Sequence, residues 1–158
     1  MTPSEFLALI VPAAIASEKI TGISAAFVVA QGALESAWGS SKLVARANNI
    51  FGVKADISWT GRSIPMLTTE YIKGFPVTVT ATWRKYDTWQ DCIDDHAKFF
   101  AVNKRYTDAM RVKGNALAFA DAIVKAGYCT DPNYTIKVFA VIKAHDLINV
   151  CSSKPVVN

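Results

Sequence analysis

The chain has 158 residues, 51% of them hydrophobic and 11% aromatic, with no low-complexity tract, which describes one domain able to bury a substantial core and excludes a disordered chain. A formal charge of +4 and a pI near 9.0 favour anionic surroundings, but the lysines and arginines are scattered rather than clustered, which argues against a nucleic-acid binder. Three cysteines (Cys92, Cys129, Cys151) and two histidines (His96, His145) lack disulfide-framework or metal-site spacing, and no run of about 20 apolar residues exists to insert into a membrane.

In chain order, Thr2-Pro3-Ser4-Glu5 reads as a helix start, with Thr2 as N-cap, Pro3 at the first helical position and Glu5 closing a capping box. The same Glu5 stands where a signal peptide would prefer a basic residue, and synthesis and folding in the cytoplasm is the expectation. The first helix carries an apolar stripe at Phe6, Leu7, Leu9, Ile10 and Ala14, with a kink expected at Pro12, and ends at Thr21-Gly22. Ser24 caps a second helix that runs to about Trp38-Gly39.

That second helix holds Glu35, one of only four glutamates in the chain. Helical spacing puts Gln31 and Gly32 on one side of it and Trp38 and Gly39 on the other. The glycines suggest that something approaches the backbone closely, since each is about 1 kcal/mol worse than alanine in a helix. An indole beside the carboxyl would remove water from its charged form and raise its pKa, which is what a general acid requires. The plainer alternative is a solvent-facing glutamate, but the surrounding residues Phe27 to Ala30, Ala33, Leu34 and Ala37 leave little polar face for one.

A short amphipathic turn from Lys42 to Ala47 leads into Asn48-Asn49-Ile50-Phe51-Gly52, a loop rich in residues that tolerate left-handed backbone. It reads either as a helix C-cap or as a polar lining, with Phe51 and Trp38 offering flat faces to sugar rings. Beyond it, Leu67 to Ile72 and Val77 to Trp83 form two β arms joined by a turn over Lys73 to Pro76. They make a small lobe with Glu70 on its first arm. Asp87 or Thr88 caps a helix to about Val102, and His96 reads as a core-edge histidine with a hydrogen-bond partner. Asn115 opens a helix over Ala116 to Ala126 that stops at Gly127. Asp131-Pro132 starts the last one, with Tyr134, Val138, Val141 and Ile142 inward, and a loop places Tyr128 between the two.

The segments AQGALESAWGSSKL, NNIFGVKA, TTEYIKG, WRKYDTWQDCIDDH and AGYCTDPNY, in this order, resemble the peptidoglycan N-acetylglucosaminidase family (glycoside hydrolase family 73), which includes a flagellar rod-cap hydrolase domain and bacterial autolysins. The resemblance runs from about Pro12 to Ile148. It implies a mainly α (α+β) fold, a lysozyme-like helical domain with a small β-hairpin lobe, over a single catalytic domain of residues 1–151 with a flexible tail over 152–158. The implied reaction is hydrolysis of the β-1,4 bond on the reducing side of N-acetylglucosamine in peptidoglycan. Glu35 matches the general acid of that family, and Glu70 and Tyr128 match two further implicated positions. Trp38, Asn48, Asn49, Phe51, Gly52 and Tyr134 are the candidate substrate-binding residues, with peptidoglycan glycan strands as partner, a monomeric state, and no metal or cofactor. Cys129 stands where alanine is usual in the family, and Gly32-Ala33 where alanine and a bulkier residue are common.

Glycoside cleavage needs an acid for the leaving oxygen and a group to meet the oxocarbenium charge. The second task falls to Glu70, through water or directly, or to the substrate's N-acetyl carbonyl with Tyr128 orienting it. The rival readings are a muramidase or lytic transglycosylase of similar plan, and a non-catalytic wall-binding module. The expected setting is a phage or prophage endolysin, made in the cytoplasm of a bacterial host and reaching the wall after holin-type release.

Overall fold

The structure, a computed structural model, describes residues 1–152. The flexible tail expected over 152–158 lies, apart from Ser152, outside the described residues. Helix α1 (Pro3–Thr21) starts as its capping box predicts: the Thr2 hydroxyl accepts from the Glu5 N–H, and the Glu5 carboxylate accepts from the Thr2 N–H. It runs on through Pro12 and closes on Gly22 at φ 72°.

Helix α2 (Ala25–Ser36) buries ten of its 12 residues, as a helix apolar on nearly every side must. It packs against α1 and against three later helices, α6 (Ala116–Lys125), α7 (Tyr134–Ala144) and α8 (Leu147–Ser152). Its glycine serves that packing. A Cβ on Gly32 would stand 2.7 Å from Ile10 Cδ1 and 3.2 Å from Ile50 Cγ2, so core side chains, not a ligand, make the close approach. Gly39 is likewise crowded by Met1, Phe6 and Trp89.

The helix also stops earlier than the spacing suggests, at Ser36 rather than Trp38-Gly39. Ala37, Trp38 and Gly39 all have positive φ (50°, 57° and 72°). The cause is the buried Ser36 hydroxyl, which donates to Gly32 O and accepts from the Gly39 N–H, pinning a left-handed turn. Helix α3 (Lys42–Ala47) follows and closes on Asn48 at φ 51°.

Strands β1 (Ser63–Ile72) and β2 (Phe75–Arg84) form one antiparallel hairpin, longer than the two expected arms. Its turn is the two residues Lys73-Gly74, both at positive φ, the geometry whose twist suits paired strands. Pro76 belongs to β2 instead. Burial alternates along β1, so that Ile64, Met66, Thr68 and Glu70 share the half-buried face with Val79, Ala81 and Trp83 of β2.

The base of the hairpin is tied down by backbone bonds from Ala55 to Thr82, Arg84 to Val53 and Lys85 to Arg62. Arg84 Nη1 donates to both carboxylate oxygens of Asp95 on helix α4 (Trp89–Val102), at 3.1 and 2.8 Å, and its guanidinium lies against the Trp59 ring. Thr88 and Asp91 form the capping box of α4.

A 3-10 turn (Lys104–Tyr106) and helix α5 (Thr107–Met110) then lead into α6. The expected last helix is two, α7 and α8, because Asp146 turns left-handed between them (φ 50°). Phe27, Phe100 and Phe119 meet edge to face at the centre of the core. The three cysteines are free thiols.

Candidate active site

The C-terminal turn of α2 carries Glu35. Its side chain is exposed, yet protein surrounds it closely enough that desolvation raises its carboxyl above the ordinary glutamate value. Its place one residue from the end of α2, the negative pole of the helix, works in the same direction.

The groups that feel its charge are two phenols. Burial raises Tyr128 first, with Tyr134 and then Glu35 adding to it; burial and then Glu35 raise Tyr134. Tyr128 comes from the loop after α6 and Tyr134 from the first turn of α7. Both are tied to α2 by Gln31, whose Nε2 donates to Tyr128 Oη at 2.8 Å and to Tyr134 Oη at 2.9 Å. Gln31 Oε1 faces His96 Nε2 at 3.0 Å. His96 is therefore the hydrogen-bonded, buried histidine that the sequence suggests, stacked on Phe51 at 4.1 Å between centroids. The sequence places Gln31 on the Glu35 face but gives no sign of its three-way pairing, because its partners lie 65 to 103 residues away.

A cavity of about 150 Å³ opens beside this cluster, lined by Phe51, Gly52, Val53, His96, Phe99 and Tyr128. Phe51 and Gly52 are thus brought to Tyr128, but Phe51 is buried with one face stacked on His96, not the open flat face that the sequence suggests. Through Phe99 the depression adjoins a second one of about 360 Å³, walled by Trp59, Arg84, Asp95 and Lys98 among others.

Four candidates sit differently. Asn49 is buried, and its amide donates to the carbonyls of Val53 and Arg84 while its oxygen accepts from the Val53 N–H. Asn48 donates to the carbonyls of Tyr86 and Asp87. These amides clamp the loop to the strand end rather than lining a site for a polar ligand. Trp38 packs its indole on Phe6 and His145, at 5.7 and 4.8 Å between centroids, a consequence of the left-handed turn that takes it off the helical face. Glu70 stands on the half-buried face of the hairpin in an ion pair with Lys54 at 2.5 Å, both side chains about half exposed. Lys54 in turn lies over the Trp83 ring.

Comparison with known proteins places this arrangement. The profile of the family described as Glucosaminidase, mannosyl-glycoprotein endo-beta-N-acetylglucosaminidase, matches residues 11–147. The peptidoglycan hydrolase FlgJ of Vibrio parahaemolyticus is 38% identical over 144 residues, covering 89% of this chain and 46% of that protein. The exo-glucosaminidase LytG of Bacillus subtilis is 41% identical over 123 residues, covering 75% and 43%. The chain spans about half the length of the curated relatives it matches. Among solved structures, a truncated glycoside hydrolase domain of Salmonella typhimurium FlgJ is 34% identical with a TM-score of 0.76, covering 90% of this chain and 97% of that one. The catalytic domain of the Listeria monocytogenes autolysin Auto is 26% identical with a TM-score of 0.81, covering 92% and 85%.

Proposed function

The chain belongs to the glucosaminidase family whose profile spans its residues 11–147, and on that premise we propose that it hydrolyses the β-1,4 bond on the reducing side of N-acetylglucosamine in peptidoglycan. The observation that carries the reading is Glu35: a carboxyl raised by desolvation, facing solvent at the end of α2, with the phenols of Tyr128 and Tyr134 close enough to feel its charge. Relatives named as a peptidoglycan hydrolase and an exo-glucosaminidase support the substrate class.

In this reading Glu35, whose protonated form is favoured by desolvation, gives its proton to the glycosidic oxygen as the bond to the anomeric carbon lengthens. Tyr128, with Phe51 and Gly52 beside it, holds the N-acetylated sugar. Glu70, already in an ion pair, is suited to receive the proton of the attacking water or to face the oxocarbenium charge. It does so when the hairpin that carries it closes over a bound glycan.

Glu70→Gln tests that division of labour: a kcat lower by roughly 10²–10⁴ supports the second carboxylate, whereas a kcat within about threefold of wild type assigns the step to the substrate's own N-acetyl carbonyl. Reducing-end analysis of digested peptidoglycan separates the rivals. Ends terminating in N-acetylmuramic acid, or anhydro ends, would replace the glucosaminidase reading with muramidase or transglycosylase. Undiminished wall clearing by Glu35→Gln would defeat the role of Glu35 as the acid, whereas affinity of the wild type for the wall without any clearing would leave only a binding module.

The biological setting we propose is lysis of a bacterial host. Expression in a Gram-negative cell together with a pore-forming holin should clear the culture for wild type and not for Glu35→Gln.

A further inference from the structure

Gln31 is wholly buried, one helical turn before Glu35, and joins four separate parts of the chain: α2, α4 through His96, the loop after α6 through Tyr128, and α7 through Tyr134. We propose that Gln31 is a positioning residue whose amide holds the phenols of Tyr128, which lines the cavity with Phe51 and His96, and of Tyr134 as hydrogen-bond donors near Glu35, with His96 fixing the direction of that amide. The inference rests on the proposed hydrolase reading for what the donors serve: the carbonyl oxygen of an N-acetyl group on the sugar.

The direction follows from donor and acceptor chemistry. An amide nitrogen carries two hydrogens and accepts nothing, so each phenol oxygen receives one of them. Each phenol then keeps its own hydrogen for another acceptor. The amide oxygen can only accept, so His96 Nε2 carries a hydrogen and Nδ1 does not. Packing holds that ring still: Phe51 stacks on it at an interplanar angle of 13°, and Phe100 meets it edge-on at 4.9 Å. Burial lowers the imidazole pKa to about 3, so it stays neutral and the tautomer persists. Were the amide reversed, both phenol hydrogens would be taken up by Oε1, and Tyr128 would have no donor left for a sugar carbonyl. Among the described residues no buried side-chain polar atom lacks a partner, and a fully satisfied buried network of this kind specifies one geometry.

Nitrogen NMR of the His96 ring in the wild-type protein gives the first test. A protonated Nε2 and bare Nδ1 are expected; a hydrogen on Nδ1 would overturn the proposal. The second is kinetic, on soluble glycan strands. In folded Gln31→Met, kcat should fall on the order of 100-fold, with KM within about threefold. Adding Tyr128→Phe should lower it little further, since the two act as a unit. A folded Gln31→Met with wild-type kcat would sink the inference, and if that variant does not fold, the tautomer decides. Mass spectrometry of the wild-type products keeps the two readings apart. Products of another bond would refute the proposed reaction while leaving the His96 tautomer to judge the network, and correct products from a fully active Gln31→Met would refute the network alone.

Discussion

At the scale of single residues, partly desolvated Glu35 and buried His96 push the pH dependence of stability in opposite directions. The folded state binds the Glu35 proton more tightly than the unfolded chain does. Its contribution favours folding at low pH and is lost as pH rises through the raised value. Glu35→Gln should therefore melt at the same or a higher temperature than wild type at neutral pH by calorimetry, while losing roughly 10²–10⁴ in kcat. Wild-type activity should decline as pH rises through that same value, because the acid must carry its proton. His96 behaves inversely. With its pKa lowered from 6.5 to about 3, the unfolded chain accepts a proton that the folded one refuses, so stability drains away as pH falls from 6.5 toward 3. Urea titrations across that range should show proton uptake on unfolding, and His96→Gln should flatten the slope whatever it does to overall stability.

At the scale of elements, the devices legible in the sequence are the local ones. The Thr2 and Thr88 caps, the glycines ending α1 and following α6, and the hairpin turn are each written in a few adjacent residues, and each forms where the sequence points. What was not legible depends on distant partners. An asparagine in a tight loop looks the same whether its amide meets a sugar or the carbonyl of Arg84, 35 residues on. The end of α2 is a local exception: the Ser36 hydroxyl bonds Gly32 and Gly39, four and three residues away, and the direction of Trp38 follows from it. Asn49→Ala should accordingly act on stability. It leaves the Val53 N–H and two carbonyls without their partner, a loss on the order of 3 kcal/mol, readable as a lower urea midpoint at unchanged slope. A loss of activity with unaltered stability would return Asn49 to the binding surface.

At the scale of the molecule, the helices hold the core and the hairpin stands largely outside it. Leu67, Tyr71 and Phe75 are 73%, 75% and 72% exposed, and the strands are anchored at their base, through Val53, Ala55 and Arg84. Replacing residues 68–79 by a two-residue turn should therefore leave a cooperatively folding helical body, since little buried apolar surface is removed. If Glu70 is the second carboxylate proposed above, the same change should also abolish hydrolysis. Loss of cooperative folding would mean that the lobe carries part of the core. The division also explains why the site was only half visible in the sequence. Glu35 stands out by its spacing on an apolar helix, Phe51 and Gly52 by loop chemistry and Tyr128 through the family resemblance, whereas Gln31 and His96 act through contacts that exist only once α2, α4, the Tyr128 loop and α7 have packed.

The most direct test is mass spectrometry of the fragments released from purified peptidoglycan by wild type and by Glu35→Gln. Wild type should release glycans whose new reducing ends are N-acetylglucosamine, and Glu35→Gln, equally folded, should release almost none. New ends of N-acetylmuramic acid from wild type, or an unchanged yield from Glu35→Gln, would contradict the assignment of Glu35 as the acid of a glucosaminidase.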